Sequence, residues 1–299
     1  MNIIFFGTPD FAVPSLKILH ESGHNVIAVV TAPDKERGRG RQVSFTPVKS
    51  FAVENGIEVL QPESLKDSVF IDQLRSYNAD VFIIVAFRIL PAEVFTLPKS
   101  GSFNLHGSLL PKYRGAAPIQ WALFNGDKET GVTTFFLKEK VDTGNIIASK
   151  FLLINEEDDF GTLHDKMSAL GAELVFETTN LIDSGEVKTI EQNDSLASPA
   201  PKIKKEMCRI DWQISASEIH NKVRGLSPFP GAYFEHKEKS YKIYKTKLSS
   251  QISLKVSEIK VDAEKLYFGT GNGTIEILEI QPEGRKRMTS AEFLRGYKL

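Results

Sequence analysis

The sequence is poor in cysteine and has no long apolar run. Its 299 residues include one cysteine, Cys208, which excludes an internal disulfide and a cluster of thiolate metal ligands. The longest apolar run, 81–87, falls far short of the roughly 18 residues that a membrane helix requires. Residues 1–6 carry neither the positive charge nor the cleavage site of a signal peptide. We therefore expect a cytoplasmic protein with no membrane partner.

Charge is nearly balanced over the whole chain but not within it. The formal net charge is −1, divided into −8 for residues 1–200 and +7 for residues 201–299. A basic C-terminal part favours a polyanion as its partner. A solvated lysine-rich surface would give the same count, so charge alone leaves both interpretations open.

The N-terminal part alternates between apolar runs and helical spacing. Runs at 2–6, 26–30 and 81–85 are continuously apolar, as in strands buried on both faces. Segments 11–20 and 46–54 have the 3.6-residue spacing of helices. Together they predict an α/β domain over 1–184, Rossmann-like, with a mostly parallel sheet that a helix at 162–182 closes.

The C-terminal part has a different pattern. Residues 185–207 are polar, with Pro199 and Pro201 around Ala200, and predict a linker between domains. In the following domain, 208–299, a helix is predicted at 215–224. Short strands are then predicted at 232–235, 241–247, 265–269 and 274–280. Strands of this length and spacing favour a small OB-like β-barrel domain.

The turn after the first strand, FFGTPDFA (5–12), argues against a dinucleotide site. It lacks the second and third glycines of G-x-G-x-x-G, and Thr8 and Pro9 stand where a pyrophosphate would approach. The turn still opens a crevice at the carboxyl end of the strand, where open α/β sheets bind ligands.

Three polar side chains between 103 and 144 suit acyl transfer to an amine. Asn104 and His106 lie two positions apart on a predicted strand and so share a face, and Asp142 stands in an Asp-Thr-Gly turn. An amide and an imidazole can donate hydrogen bonds to a developing oxyanion, and a carboxylate can orient the imidazole. Each residue alone is usually structural, and an aspartic protease would need a second Asp-Thr-Gly copy.

Five segments resemble the methionyl-tRNA formyltransferases, in family order and over essentially the whole chain. They are FFGTPDFA, NLHGSLLPKYRGAAPIQWAL, GVTTFF, VDTGNII and SPFPGAYF. The resemblance implies that Asn104, His106 and Asp142 are the catalytic set. It also implies 10-formyltetrahydrofolate as the formyl donor. We expect no metal, because His106 and Asp142 have no second or third ligand at metal spacing.

The same resemblance implies which residues contact the folate. The family's folate-contacting segment is matched by Ser108, Leu109, Leu110 and Pro111. Phe87 and Ile89 lie in the turn that borders the pterin pocket in the family. This turn, 86–91, is one residue shorter than in relatives and lacks their glycine.

A basic loop points to tRNA as the acceptor. Its four cations, flanked by glycines that let a loop mould to phosphates, are Lys35, Arg37, Arg39 and Arg41. By the resemblance, this loop grips the acceptor stem, and Arg39 aligns with the key arginine. The expected partner is initiator methionyl-tRNA, bound also by the basic OB-like domain, and the enzyme is expected to be a monomer.

Two other functions stay open on the sequence. A formyltransferase acting on a sugar-nucleotide amine would share the catalytic core, but it would need neither the basic loop nor the basic second domain. A noncatalytic RNA-binding protein on a degenerate enzyme fold is the other alternative, and the intact set of Asn104, His106 and Asp142 argues against it.

Overall fold

The computed structural model describes residues 1–37, 42–297 and 299, with only the backbone of 35–37 and 42–43. Its helices are α1 (Val13–His20), α2 (Pro47–Glu54), α3 (Ser68–Ser76), α4 (Ala92–Phe95), α5 (Pro118–Phe124), α6 (Phe160–Asp183), α7 (Ala216–Leu226) and α8 (Ser290–Gly296). Its strands are β1 (Asn2–Gly7), β2 (Asn25–Val30), β3 (Lys35–Arg37), β4 (Gln42–Ser44), β5 (Glu58–Leu60), β6 (Val81–Val85), β7 (Ser102–His106), β8 (Glu129–Phe136), β9 (Ile146–Leu153), β10 (Ala232–His236), β11 (Lys239–Ser249), β12 (Ile259–Asp262), β13 (Lys265–Gly269), β14 (Thr274–Pro282) and β15 (Met288–Thr289).

The chain forms two compact units that alternate along the sequence. Unit 1 consists of residues 1–115, 130–152 and 164–199. Unit 2 consists of residues 116–129, 153–163 and 200–299. Two short stretches of the N-terminal part therefore belong to the second unit. The functional division into 1–184, 185–207 and 208–299 stays a prediction.

Unit 1 is built on a seven-stranded sheet in the order β5-β2-β1-β6-β7-β8-β9. The strands from β5 to β7 are parallel, and β8 runs antiparallel to β7. The predicted α/β class with a mostly parallel sheet is confirmed. Because β1, β6 and β7 are parallel neighbours, the segments that follow them meet at one edge of the sheet. This is the edge at which open α/β sheets bind ligands.

The apolar composition of the central strands explains their position. Every residue of β6 is buried, and β1 is buried from Ile3 onward. On one face, Phe6 and Phe82 belong to a core cluster that also contains Phe70 and Leu74 of α3. Burial of this kind contributes about 1.5–3 kcal/mol per large apolar side chain. It holds the ends of the strands in fixed positions.

The first half of the segment predicted as a linker is anchored to unit 1. Ile190 and Ile146 exchange two backbone hydrogen bonds of 2.8 Å. The Ser198 carbonyl accepts from the Arg114 N–H at 2.8 Å, and its hydroxyl accepts from the Tyr113 N–H at 2.9 Å. These bonds connect residue 190 to β9 and residue 198 to the loop after β7, and the assignment of 185–207 as a linker stays a prediction.

Unit 2 contains an antiparallel sheet in the order β10-β11-β14-β13-β12, with β15 paired to β14. Its core cluster includes Ile219 and Val223 of α7 and Phe293 of α8. The predicted strands at 232–235, 241–247, 265–269 and 274–280 are confirmed, while closure into an OB-like barrel stays a prediction. In the part of the chain that the structure describes, no helix is both long and apolar enough to cross a membrane.

Candidate active site

His106 ends β7 and is held by one firm hydrogen bond. Its Nε2 lies 2.8 Å from the carbonyl oxygen of Tyr113, and its side chain is only 6% exposed. A carbonyl oxygen can only accept, so Nε2 must carry the hydrogen and donate it. The other ring nitrogen, Nδ1, faces Asp142. The contact with Tyr113 thus fixes both the orientation of the ring and the nitrogen that remains for chemistry.

The Asp142 carboxylate is placed by a backbone amide. Its Oδ2 accepts from the N–H of Gly115 at 2.8 Å and lies 3.8 Å from Nδ1 of His106. The side chain is 12% exposed, so water screens this pair only partly. A carboxylate at this distance stabilises positive charge on the imidazole ring. The Asp142 backbone has φ +55°, the left-handed conformation that most residues avoid.

Asn104 precedes His106 by two positions on β7. Strand geometry puts both side chains on the same face of the sheet, and Asn104 is half-buried. Among the described residues its side-chain amide has no hydrogen-bond partner. The structure therefore brings His106 and Asp142 into contact, with an unpaired amide on the same strand face. Their catalytic roles stay a prediction.

The segment 108–111 is fixed by two hydrogen bonds to the hydroxyl of Thr133 in β8. The Thr133 hydroxyl donates to the Ser108 carbonyl at 2.7 Å and accepts from the Leu110 N–H at 3.2 Å. Ser108 is fully buried, and its own hydroxyl donates to the Lys112 carbonyl at 2.6 Å. Leu109 and Pro111 are half-buried. Contact of this segment with folate stays a prediction, but its shape is set by the protein.

Sequence reasoning missed the role of Thr133, although this residue lies inside the GVTTFF segment. Its two hydrogen bonds to the segment 108–111 lead to a first prediction. Thr133→Val keeps the shape of the side chain but leaves a buried carbonyl and a buried N–H without their partner. We expect a loss of about 1–3 kcal/mol in the free energy of unfolding, measured by urea denaturation, and a raised KM for the folate.

Thr179→Val in α6 is the matched control. Thr179 is equally buried, but its hydroxyl donates only to the Val175 carbonyl four residues before it. That carbonyl already accepts the helical N–H bond, so the exchange should cost less than about 1 kcal/mol. Equal losses in the two variants would show that Thr133 has no special role.

The turn at 86–91 is tight despite its missing glycine. Ala86 has φ +49°, the conformation that glycine adopts most easily. Phe87 is half-buried with its ring centre 5.6 Å from that of Phe6, and Ile89 is 73% exposed. Arg88 ties the turn to the chain before it by donating to the carbonyls of Pro62 and Glu63. The roles predicted for Phe87 and Ile89 in binding folate remain predictions.

The basic loop lies only partly within the described chain. Lys35 and Arg37 belong to β3, which pairs with β4, and their side chains are not described. Arg39 and Arg41 lie outside the described residues. A role of all four in binding tRNA therefore stays a prediction.

The two ends of the basic loop are joined by side chains. Asp34 accepts hydrogen bonds from Lys49 and Gln61, which hold the pKa of its carboxyl below the ordinary value. The hydroxyls of Thr31 and Thr46 lie 2.8 Å apart. Both ends of the loop are thus fixed to each other and to α2.

The described residues contain no group of three or more His, Cys, Asp or Glu side chains that could hold a metal ion. The polar groups that the structure places at the end of β7 and in the turn at Asp142 are an amide donor, an imidazole and a carboxylate. This combination suits the transfer of an acyl group directly to an amine.

Comparisons with known proteins cover the whole chain. A family model described as formyl transferase matches residues 1–179, and one described as formyl transferase, C-terminal domain, matches residues 202–298. The methionyl-tRNA formyltransferase of Caldanaerobacter subterraneus is 46% identical over 302 residues, which cover 100% of this chain and 98% of the relative. That of Thermodesulfovibrio yellowstonii is 47% identical over 299 residues, with 100% and 96% covered.

Solved structures show the same fold. An N-formyltransferase from Helicobacter canadensis, in complex with folinic acid and dTDP-3-aminofucose, has a TM-score of 0.68 at 23% identity, covering 94% of this chain and 98% of that one. A methionyl-tRNA formyltransferase from Clostridium thermocellum has a TM-score of 0.58 at 17% identity, covering 84% and 95%. At these identities the structures establish the fold alone.

Proposed function

The chain belongs to the formyl transferase family, and we propose that it transfers the formyl group of 10-formyltetrahydrofolate to the amino group of initiator methionyl-tRNA. One observation carries the choice of substrate. Relatives named methionyl-tRNA formyltransferase are 46–47% identical to this chain along its full length, through both units. Transfer to this amine prepares the tRNA for translation initiation.

The residues at the sheet edge fit the folate cosubstrate. Asn104 offers an unpaired amide on the strand that ends at His106, and the exposed Ile89 and half-buried Phe87 offer apolar surface at the neighbouring turn. 10-Formyltetrahydrofolate supplies an activated formyl carbon. Because the acceptor amine can attack that carbon directly, no nucleophilic side chain is required.

Asn104 and His106 share one task in the transfer, and Asp142 has another. Asn104 donates a hydrogen bond to the formyl oxygen as negative charge develops there. His106 does the same from Nδ1, since its Nε2 is committed to Tyr113. Asp142 stabilises the charged ring and, through water, helps to take the proton that the amine loses. A new N–C bond forms, the bond from N10 to the formyl carbon breaks, and N10 gains a proton.

A formyl transfer assay tests this function directly. The chain is incubated with 10-formyltetrahydrofolate and either methionyl-tRNA or a sugar-nucleotide amine, and the formylated product is measured. We expect product with methionyl-tRNA only. If product forms only with the sugar-nucleotide amine, the acceptor is a sugar nucleotide and not methionyl-tRNA. If no product forms with either amine, a noncatalytic role remains. We also propose that the protein acts in the cytoplasm as a monomer. A single symmetric peak at the monomer mass in light scattering would support the monomeric state.

Arg39 gives a prediction that separates tRNA recognition from chemistry. If the basic loop orients the 3′ end, Arg39→Ala should raise the KM for methionyl-tRNA and also lower kcat, because misplacement by about 1 Å can cost on the order of 10²-fold. Steady-state kinetics at two salt concentrations measure both effects, since phosphate contacts make KM depend on salt.

Folate binding and thermal stability should be unchanged in Arg39→Ala, because the loop does not belong to the proposed folate site. Arg75→Ala in α3 is the matched control, since Arg75 pairs with Asp72 on the same exposed helix. If kcat and KM of Arg39→Ala match the wild type at both salt concentrations, the loop has no part in the reaction.

A further inference from the structure

Gln192 is a buried side chain whose amide is fully engaged beside the catalytic turn. It is 9% exposed. Its Nε2 donates to the carbonyls of Asp142 at 3.0 Å and Gly144 at 2.8 Å. Its Oε1 accepts from Nε of Arg114 at 3.1 Å and from Nη2 at 2.7 Å. An amide has two N–H donors and one oxygen with two lone pairs, so every hydrogen-bonding position is used.

Both ends of this amide act on Asp142. The Nε2 bonds hold the backbone carbonyls of Asp142 and Gly144. The φ of +55° at Asp142 is energetically costly unless the surrounding structure imposes it. The Oε1 bonds hold Arg114, and the N–H of the next residue, Gly115, donates to the Asp142 carboxylate. Gln192 therefore holds both the turn that carries the Asp142 carboxylate and the loop segment 114–115 whose N–H orients it.

The segment that carries Gln192 is itself fixed on both sides. Before it, Ile190 pairs with Ile146 through two backbone hydrogen bonds. After it, Asp194 accepts from Arg114 at 2.7 Å. The same hydrogen bond lowers the pKa of the Asp194 carboxyl. The segment around Gln192 is thus held on one side by β9 and on the other by Arg114, which Gln192 also contacts.

We propose that Gln192 is a positioning residue for the formyl transfer, which holds the Asp142 carboxylate at its 3.8 Å distance from Nδ1 of His106. The inference rests on the proposed function, because it assigns Gln192 a part in that reaction. It acts through Asp142 and touches neither substrate. Displacement of a catalytic group by about 1 Å can cost on the order of 10²-fold in rate, so a brace of this kind matters for turnover.

Gln192→Glu is the sharpest test. The exchange keeps the shape of the side chain and its acceptor for Arg114, but it sets an oxygen against the carbonyls of Asp142 and Gly144. We expect kcat to fall by about tenfold or more, with the KM for methionyl-tRNA and for 10-formyltetrahydrofolate within about threefold of wild type. Gln192→Met, which removes the donors without adding charge, should act in the same direction. Gln73→Glu in α3 is the control, because it makes the same Gln-to-Glu exchange away from the candidate site and should leave kcat unchanged.

A second background shows whether the effect passes through Asp142. In Asp142→Ala the carboxylate is gone, so Gln192→Glu should lower the remaining single-turnover rate by less than about twofold. A tenfold loss in that background as well would overturn the proposal and mark Gln192 as a structural residue only. Wild-type kcat in both Gln192 variants would overturn it too. If the wild type itself forms no product, the proposed function fails, which is a separate result.

Discussion

Replacing His106 by alanine should lower kcat for formylation of methionyl-tRNA by about 10²–10³-fold, the effect of removing one donor to a developing oxyanion. The contact of Nε2 with Tyr113 leaves Nδ1 of His106 for the formyl oxygen, and alanine offers no donor in its place. The rate of the chemical step is measured over a single turnover, after rapid mixing of methionyl-tRNA with enzyme that is saturated with 10-formyltetrahydrofolate.

His20→Ala is the matched control for that variant. His20 is half-buried and packs against the aromatic ring of Phe51, but it lies in α1. Its replacement should leave kcat unchanged. Thermal melting of both variants separates loss of chemistry from loss of fold. If His106→Ala retained more than about a third of the wild-type rate, the role assigned to the imidazole as an oxyanion donor would be wrong.

Gly144→Ala should be nearly as damaging, although glycine carries no functional group. A Cβ on Gly144 would lie 1.5 Å from the carbonyl oxygen of Phe136, so the backbone has to move. We expect overpacking to lower the free energy of unfolding by about 1–3 kcal/mol. Displacement of the turn should also move Asp142 away from His106 and lower kcat on the order of 10²-fold. Urea denaturation and single-turnover kinetics measure the two effects.

Gly23→Ala provides the comparison for Gly144→Ala. No atom lies within 4 Å of a Cβ built at Gly23, so the same exchange meets open space there. Stability and activity should stay close to wild type. A Gly144→Ala variant that matched this control would mean that the turn moves freely, and the braced position described for Asp142 would not hold.

The fold could be predicted from the sequence where one short pattern determines one element. Val81–Val85 is entirely apolar and became a strand buried on both faces. The helix predicted at 162–182 is observed as Phe160–Asp183. Elements with mixed composition were missed, among them α8 and the exposed strand β12, because their periodicity is weak. Membership of unit 2 for residues 116–129 and 153–163 depends on tertiary packing, which no local pattern records.

The candidate site shows the same division. Strand alternation alone placed Asn104 and His106 on one face, as β7 has them. The contact between His106 and Asp142 joins residues 36 positions apart. Their chemistry suggested the pairing and the family resemblance supported it, but no local pattern places the two side chains together. Gln192 had no signal at all, because a polar residue in a polar segment looks the same whether it faces water or fills a buried hydrogen-bonding position. The left-handed backbone at Ala86 was equally hidden.

The alternation of the two units along the chain has a consequence for synthesis on the ribosome. The brace on Asp142 comes from Gln192, so the candidate active site cannot be completed until about two thirds of the chain has left the exit tunnel. In unit 2, α5 contacts α7, which follows about a hundred residues later, with Phe124 lying against Gly225. Until α7 is made, the apolar face of α5 therefore lacks the helix that covers it, and exposed apolar surface of this kind favours aggregation.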